Sequence, residues 1–140
     1  VNLDNVDACH NNFTKYTASL HRADHAVGHL WDYIQNEIPE MADNTIIIAT
    51  PECGRNLEPN GILDANDWRS FDHSDANALR VFTMMAGPSI PQNLTIGGEG
   101  NPIGFTSDSM LTAAEILGVK SDVLNAGTLA PGTLSLFDRL

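Results

Sequence analysis

The longest regular pattern of hydrophobic residues in the chain predicts an amphipathic helix over residues 12–38. Apolar side chains recur there at steps of three and four: Phe13, Tyr16, Leu20, Ala23, Val27, Leu30, Trp31, Ile34 and Ile38. This spacing places them on one stripe of a helix, which Pro39 ends. The same spacing also fits a coiled-coil seam, but the central aromatic residues and Ala23 favour packing on a sheet.

Two short apolar runs predict strands. Residues 45–50 are rich in β-branched side chains and apolar on both faces, which is typical of a buried, parallel strand, and Pro51 ends it. Residues 80–86 form the second run, which ends at Gly87 and Pro88. The alternation of strands and helical patterns predicts an α/β fold with a parallel or mixed sheet packed against helices.

The rest of the chain predicts two loops and one further helix. Residues 51–77 show no periodicity, and loops longer than about 15 residues are usually functional or disordered, although Trp68 and Phe71 favour an ordered loop. Residues 86–105 are rich in glycine and proline and predict a second loop. A helix over 107–117 follows, with Ser107 as its cap and Gly118 at its end.

Composition predicts one domain over residues 1–140. The chain has 140 residues, of which 42% are hydrophobic and 18% charged, as in an ordinary globular protein. Its net charge of -11, from 18 acidic and 7 basic residues, weighs against nucleic acid or an anionic membrane as a partner. Because Val1 is not a methionine, we expect a processed or excised piece of a longer protein.

Three histidines lie on the face of the first helix opposite its apolar stripe. His21, His25 and His29 are each four residues apart and therefore stack on one face. Such a row can chelate a metal ion adventitiously. A solvated surface is the favoured interpretation, because functional sites are normally concave.

Candidate metal ligands occur in three places: before the first helix (Asp7, His10), after the first strand (Glu52, Cys53) and before the second strand (Asp72, His73). Carboxylate, imidazole and thiolate groups are ligands of a borderline cation such as zinc. Spacing alone leaves them equally well explained as surface residues or caps. Glu52 leaves the carboxyl end of the first strand, and the loop that holds Asp72 and His73 must cross the same edge of the sheet. Asp7 and His10 join them if the long helix runs antiparallel to that strand, so we expect these carboxylates and histidines to converge there.

The order of these motifs resembles the C-terminal half of the alkaline phosphatase superfamily. The resemblance is carried by the strand at Asn44–Thr50, the turn Glu52-Cys53-Gly54, the pair Asp72-His73, the run Val81–Pro88 and the closing Asp-x-x-x-Thr helix. The turn is most similar to an uncharacterised bacterial branch with Glu-Phe-Gly-Arg at this point. The resemblance implies a partial alkaline-phosphatase-like sheet flanked by helices, within a larger domain.

The resemblance also implies a metal-dependent reaction on a small anionic phosphate or sulfate ester. Asp7, His10 and His73 would hold one metal ion, while Glu52 and Cys53 would reach a second. We expect zinc, bound weakly or not at all by this chain alone. Arg55 would bind a substrate oxygen. The family's nucleophile belongs to the N-terminal half, so we expect no catalytic residue here.

Cys53 stands where the family usually has histidine, which favours an alternative: a non-catalytic binding module with a degenerate metal site. Cys53 would either bind metal as a thiolate or form a disulfide with Cys9 in an oxidising compartment. We expect a periplasmic or secreted location. We also expect self-association through an exposed sheet edge.

Overall fold

The computed structural model describes residues 3, 5–98 and 101–139, and combines helices with a small sheet. In the described part there are four helices, α1 (Phe13–Glu37), α2 (Pro39–Ala42), α3 (Thr106–Ile116) and α4 (Lys120–Asn125), two strands, β1 (Ile47–Ala49) and β2 (Met84–Ala86), and three 3-10 helices, η1 (Val6–His10), η2 (Ala76–Leu79) and η3 (Leu136–Arg139). The two predicted helices and two predicted strands are therefore present. Residues 99 and 100 of the second predicted loop lie outside the described residues.

Helix α1 forms where the apolar periodicity predicts it. The Asn12 side chain caps its first turn by accepting a hydrogen bond from the Lys15 amide at 2.8 Å. The helix ends at Glu37, two residues before Pro39, which begins the short helix α2. Ile34 is buried, but Leu20 and Leu30 of the same stripe remain 42% and 44% exposed. The apolar face of α1 is therefore only partly covered.

The direction of the sheet corrects the prediction of parallel strands. Strands β1 and β2 pair antiparallel, with Ile47 opposite Ala86 and Ala49 opposite Met84. A parallel pair needs a crossover, usually a helix, and between these strands the chain forms only the one-turn η2. The return path therefore brings β2 back in the opposite direction. The end of β1 consequently lies beside the start of β2, so the long loop that joins the two strands leaves and re-enters the sheet at the same end.

The burial of the first strand also differs from the prediction. All three residues of β1 are half-buried rather than buried, because other parts of the chain do not fully cover the two faces of this small two-stranded sheet. The buried hydrophobic residues in the described part are Cys9, Ile34, Ala78, Leu111 and Ala114. Buried polar side chains outnumber them there, so hydrogen-bonded clusters contribute much of the internal structure.

The long loop that follows β1 is anchored to the beginning of α1. Asp64 accepts hydrogen bonds from the Thr14 amide at 2.8 Å and the Thr14 hydroxyl at 2.7 Å, and from the amides of Asn66 and Trp68. Phe71 packs on Phe13 with ring centroids 5.6 Å apart. Both oxygens of Asp64 are thus occupied by donors, which leaves this segment unsuited to hold a calcium ion.

The Asp64 anchor predicts an acid-sensitive difference in stability. Desolvation opposes ionisation of Asp64, but the hydrogen bonds from Thr14, Asn66 and Trp68 outweigh it and lower its pKa from 3.8 to about 2. The stabilisation is therefore complete above the unfolded pKa of about 4 and disappears as pH falls towards 2. Asp64→Asn should melt a few degrees below the natural protein at pH 7, and the difference should shrink below about pH 4.

Melting curves from pH 7 to pH 2 check this expectation. The exposed Asp67 of the same loop provides the control, because Asp67→Asn removes a carboxylate that takes no part in the hydrogen bonds to the Asp64 side chain. A gap between Asp64→Asn and the natural protein that stays constant across this range would contradict the anchor.

A buried carboxylate ties α3 to the C-terminal segment. Asp108 is fully buried and accepts hydrogen bonds from the Arg139 Nε at 2.5 Å and from the amides of Phe105 and Leu134, each at 3.0 Å. Ser107, the predicted cap, instead shares a hydrogen bond of 2.7 Å with the Thr133 hydroxyl. The C-terminal segment is thus held to α3 by polar contacts, whereas Leu134 stays 44% exposed.

Candidate metal centre

The short helix η1 supplies the first two residues of the site. Asp7 and His10 are three residues apart, and side chains at this separation eclipse one another in a 3-10 helix. The carboxylate and the imidazole therefore meet, with 3.0 Å between the Asp7 Oδ1 and the His10 Nε2. The sequence analysis placed Asp7 and His10 before the first helix but did not predict η1, so it did not predict this contact between them.

Backbone contacts bring the long loop onto η1. The Phe71 amide donates to the Cys9 carbonyl at 2.9 Å, and the Asn60 side chain donates to the His10 carbonyl at 3.0 Å. These bonds set the loop beside η1, so that the next two residues, Asp72 and His73, reach the His10 ring. Asn60 was missed by the sequence interpretation, since the Asn-Gly pair at 60 and 61 indicates only a turn.

His10 stands at the centre of the resulting cluster. Its Nδ1 lies 2.6 Å from the Asp72 Oδ1, and its ring meets the His73 ring edge-on with centroids 4.7 Å apart. One ligand atom from each of Asp7, His10 and His73 lies within 4.8 Å of the others. The structure thus joins four of the predicted site residues, two from η1 and two from the loop.

The donor set of this cluster fits a divalent metal ion. Two ligands that each lie about 2 Å from a zinc ion are at most about 4 Å apart, so small side-chain rotations would bring all three residues to one ion. Asp72 contacts the other nitrogen of His10, as carboxylates commonly do behind a metal-binding histidine. This contact orients the His10 ring with its Nε2 towards Asp7, so that a metal ion could bind between the two groups.

The charges of the two carboxylates suit the same role. Desolvation opposes ionisation of Asp7, but His10 and a hydrogen bond from Arg55 outweigh it and hold its pKa below the usual range. The hydrogen bonds from His10 and Asn60 lower the pKa of Asp72. Both groups are therefore ionised at neutral pH, which is the state that binds a cation or a protonated imidazole.

Arg55 lies against the cluster and has an unused nitrogen. Its Nη2 donates to the Val6 carbonyl at 3.1 Å and to the Asp7 carboxylate at 3.4 Å, and its Cζ lies 5.6 Å from the centroid of the Tyr16 ring. Its Nη1 is buried and has no hydrogen-bond partner in the described part of the chain. One buried donor of the Arg55 guanidinium is therefore left unsatisfied.

An open cavity of about 480 Å³ adjoins Asp7 and His10. Lys15 and the asparagines Asn5, Asn11 and Asn12 also line it. Within the residues that the structure describes, the Lys15 ammonium forms no ion pair, so it can meet a negatively charged group in the cavity. Lys15 was missed by the sequence interpretation, because nothing in the pattern of α1 separates it from other surface residues.

Two predicted ligands, Glu52 and Cys53, do not join this cluster. Of the described residues, only Asp7, His10 and His73 form a group of three with metal-ligating atoms this close. The turn after β1 is held elsewhere, since the Gly54 amide donates to the Ala78 carbonyl at 2.7 Å. An added Cβ on Gly54 would lie 2.6 Å from the Arg80 carbonyl, so this close backbone approach requires glycine.

The two cysteines are free thiols in this structure. Cys9 is fully buried, and burial raises its pKa, which disfavours the thiolate. Burial likewise raises the pKa of Tyr16. The disulfide between Cys9 and Cys53 is not formed in this structure.

No protein-family model, curated protein or solved structure matches the chain. The resemblance to the alkaline phosphatase superfamily therefore stays a prediction. Among the described residues, no helix is both long and apolar enough to cross a membrane.

Proposed function

We propose that this chain is the C-terminal half of a metal-dependent enzyme that hydrolyses or transfers phosphate or sulfate esters. The meeting of Asp7, His10 and His73, with ligand atoms within 4.8 Å of one another, is the observation that carries the proposal. Imidazole and carboxylate in this combination suit zinc. A zinc ion bound there would act as a Lewis acid on an ester oxygen.

The chain's own residues would bind and orient the ester. Arg55, which lies beside Asp7, would turn its guanidinium group to donate to an anionic oxygen, because its Nη1 is buried in this structure. Lys15 would add positive charge at the neighbouring cavity, which matters in a chain of net charge -11. Asp72 would keep the His10 ring in position. The nucleophile would come from the other half, so this chain alone would be inactive.

Zinc titration followed by NMR of the histidine side chains tests the metal site directly. The ring-nitrogen signals of His10 and His73 should shift together as zinc is added, because one ion would contact both rings. This reading is specific to the site, since the other histidines give separate signals. Because this chain holds only part of the expected ligand set, binding should be weak and need up to millimolar zinc; no response of either ring at that concentration would contradict the proposed metal site.

Removing the Arg55 guanidinium should weaken binding of inorganic phosphate to the zinc-loaded protein. A hydrogen bond to a charged group contributes about 1.5–3 kcal/mol, so Arg55→Met should weaken binding about 10- to 100-fold. Arg69→Met, at an exposed arginine of the same loop, is the matched control and should have little effect. Isothermal titration calorimetry measures both, and equal affinities for the two variants would contradict the role of Arg55.

A second candidate is a non-catalytic binding module with a degenerate metal site. It is favoured by the positions of Glu52 and Cys53 outside the cluster, because half of the expected two-metal ligand set does not assemble. The same titrations separate the two candidates. Zinc binding without phosphate binding would support the binding module, whereas zinc-dependent phosphate binding would support the enzyme.

We also propose that the isolated chain self-associates. Each of its two strands pairs on one side only, and Leu79 and Phe82 near β2 are 82% and 64% exposed. The average mass in multi-angle light scattering should therefore rise with protein concentration. Phe82→Lys places a charge beside β2 and should reduce the rise. A sharp monomer mass at high concentration would contradict the proposal.

A further inference from the structure

The outer face of α1 carries a row of three histidines that the proposed active site does not use. His21, His25 and His29 lie within the continuous helix Phe13–Glu37 and are all exposed. Their rings form no hydrogen bond or ion pair with other described residues, so the nitrogens are free to bind a ligand. His25 is about 18 Å along the helix axis from Phe13, and therefore far from the cluster on η1.

The spacing of the row suits chelation of a metal ion by neighbouring histidines. Residues four apart on a helix have Cβ atoms about 5–6 Å apart, and zinc enzymes use two histidines at this spacing as ligands. His25 belongs to both adjacent pairs, one with His21 and one with His29. Since both pairs need the same His25 ring, the row can chelate one ion at a time.

A carboxylate favours the second of these pairs. Asp32 lies three residues after His29 and seven after His25, on the same face of α1. Asp32 is exposed, and its carboxylate has no hydrogen-bond or ion-pair partner in the described part of the chain. Asp32 can therefore contact the His29 ring or a water beside it, but at about 10.5 Å along the helix axis it is too far from His25 to bind the same ion directly.

We propose that His25 and His29, with Asp32 beside His29, form a surface site for a divalent transition-metal ion such as Zn²⁺. The two imidazoles would bind the ion, water would complete its coordination, and the Asp32 carboxylate would orient the His29 ring or a bound water. The acidic chain, with a net charge of -11, attracts cations to this face. The site is separate from the cluster of Asp7, His10 and His73, and it does not rest on the proposed enzymatic function.

The test compares single alanine variants in a His73→Ala background, which removes one ligand of the other cluster. Zinc affinity is measured by calorimetry on the whole chain. His25→Ala should lose at least 10-fold in affinity, because it leaves His21 and His29 about 12 Å apart along the helix. His29→Ala should lose less, since His21 and His25 still form a pair. His21→Ala should bind zinc as the background does.

Asp32→Asn gives a further check, since it should weaken binding severalfold while keeping the shape of the side chain. Circular dichroism shows that α1 is intact in each variant, and alanine favours a helix more than histidine does. An equal effect of His21→Ala and His25→Ala would overturn the proposal. So would a background protein that binds no zinc at millimolar concentration.

Discussion

Asp108→Ala is expected to lower the free energy of unfolding by about 3–5 kcal/mol, because it leaves a largely buried arginine without its counter-ion. Asp108 is fully buried, and the Arg139 side chain is only 15% exposed. The substitution also removes the acceptor for the amides of Phe105 and Leu134. Buried donors that lose their acceptor are costly, so the loss should exceed that of one hydrogen bond.

Urea unfolding followed by circular dichroism measures this loss. Asp122→Ala is the matched control, since Asp122 is an exposed acid in the first turn of α4 and should change stability by less than about 0.5 kcal/mol. Gly104→Ala tests the same contact from the other side. A Cβ there would lie 2.8 Å from the Arg139 Nε and closer still to the Asp108 carboxylate, so it should also destabilise the protein. A loss below about 1 kcal/mol for Asp108→Ala would contradict the contribution of this contact.

Asp72→Ala is expected to weaken zinc binding at the His10 cluster by about 10- to 100-fold, although Asp72 is not itself one of the three proposed ligands. The carboxylate holds the His10 Nδ1 at 2.6 Å, and without it the ring is free to turn and loses basicity. Asp72→Asn keeps an oxygen as acceptor and should lose less affinity. The NMR titration of His10 and His73 measures the zinc affinity of this site separately from zinc bound elsewhere on the chain.

Glu52→Gln is the informative control for this measurement. The sequence pattern placed Glu52 among the metal ligands, whereas the structure leaves it outside the cluster. Zinc affinity should therefore be unchanged in Glu52→Gln. A loss as large as that of Asp72→Ala would show that Glu52 contributes to the site, as the sequence pattern predicted.

Local patterns were sufficient to predict the helices, since the signals that begin and end a helix lie within a few residues of it. The apolar spacing and Pro39 marked α1 to within one residue at each end. Ser107 and Gly118 marked α3 almost as closely, although the Ser107 side chain does not cap it. The short helix α4 was missed, because the turn signals at Gly127 and Pro131 dominated that segment.

Within the site, the sequence indicated the chemical groups, and the tertiary structure decided which of them meet. The types and positions of Asp7, His10, Asp72 and His73 were visible in the chain, since carboxylate and imidazole are recognisable as ligands wherever they occur. Their convergence depends on the bonds from Phe71 and Asn60 to η1, which span about 50 to 60 residues of sequence. No local pattern encodes such contacts.

The direction of the sheet and the contact between Asp108 and Arg139 were likewise decided by the tertiary structure. Strand patterns report burial and period but not direction, which here follows from the lack of a crossover helix between β1 and β2. Asp108 was recognisable only as a first-turn acid, because its partner Arg139 lies 31 residues away. Both features arise from pairing between distant segments, whose energies depend on three-dimensional proximity rather than on neighbours in sequence.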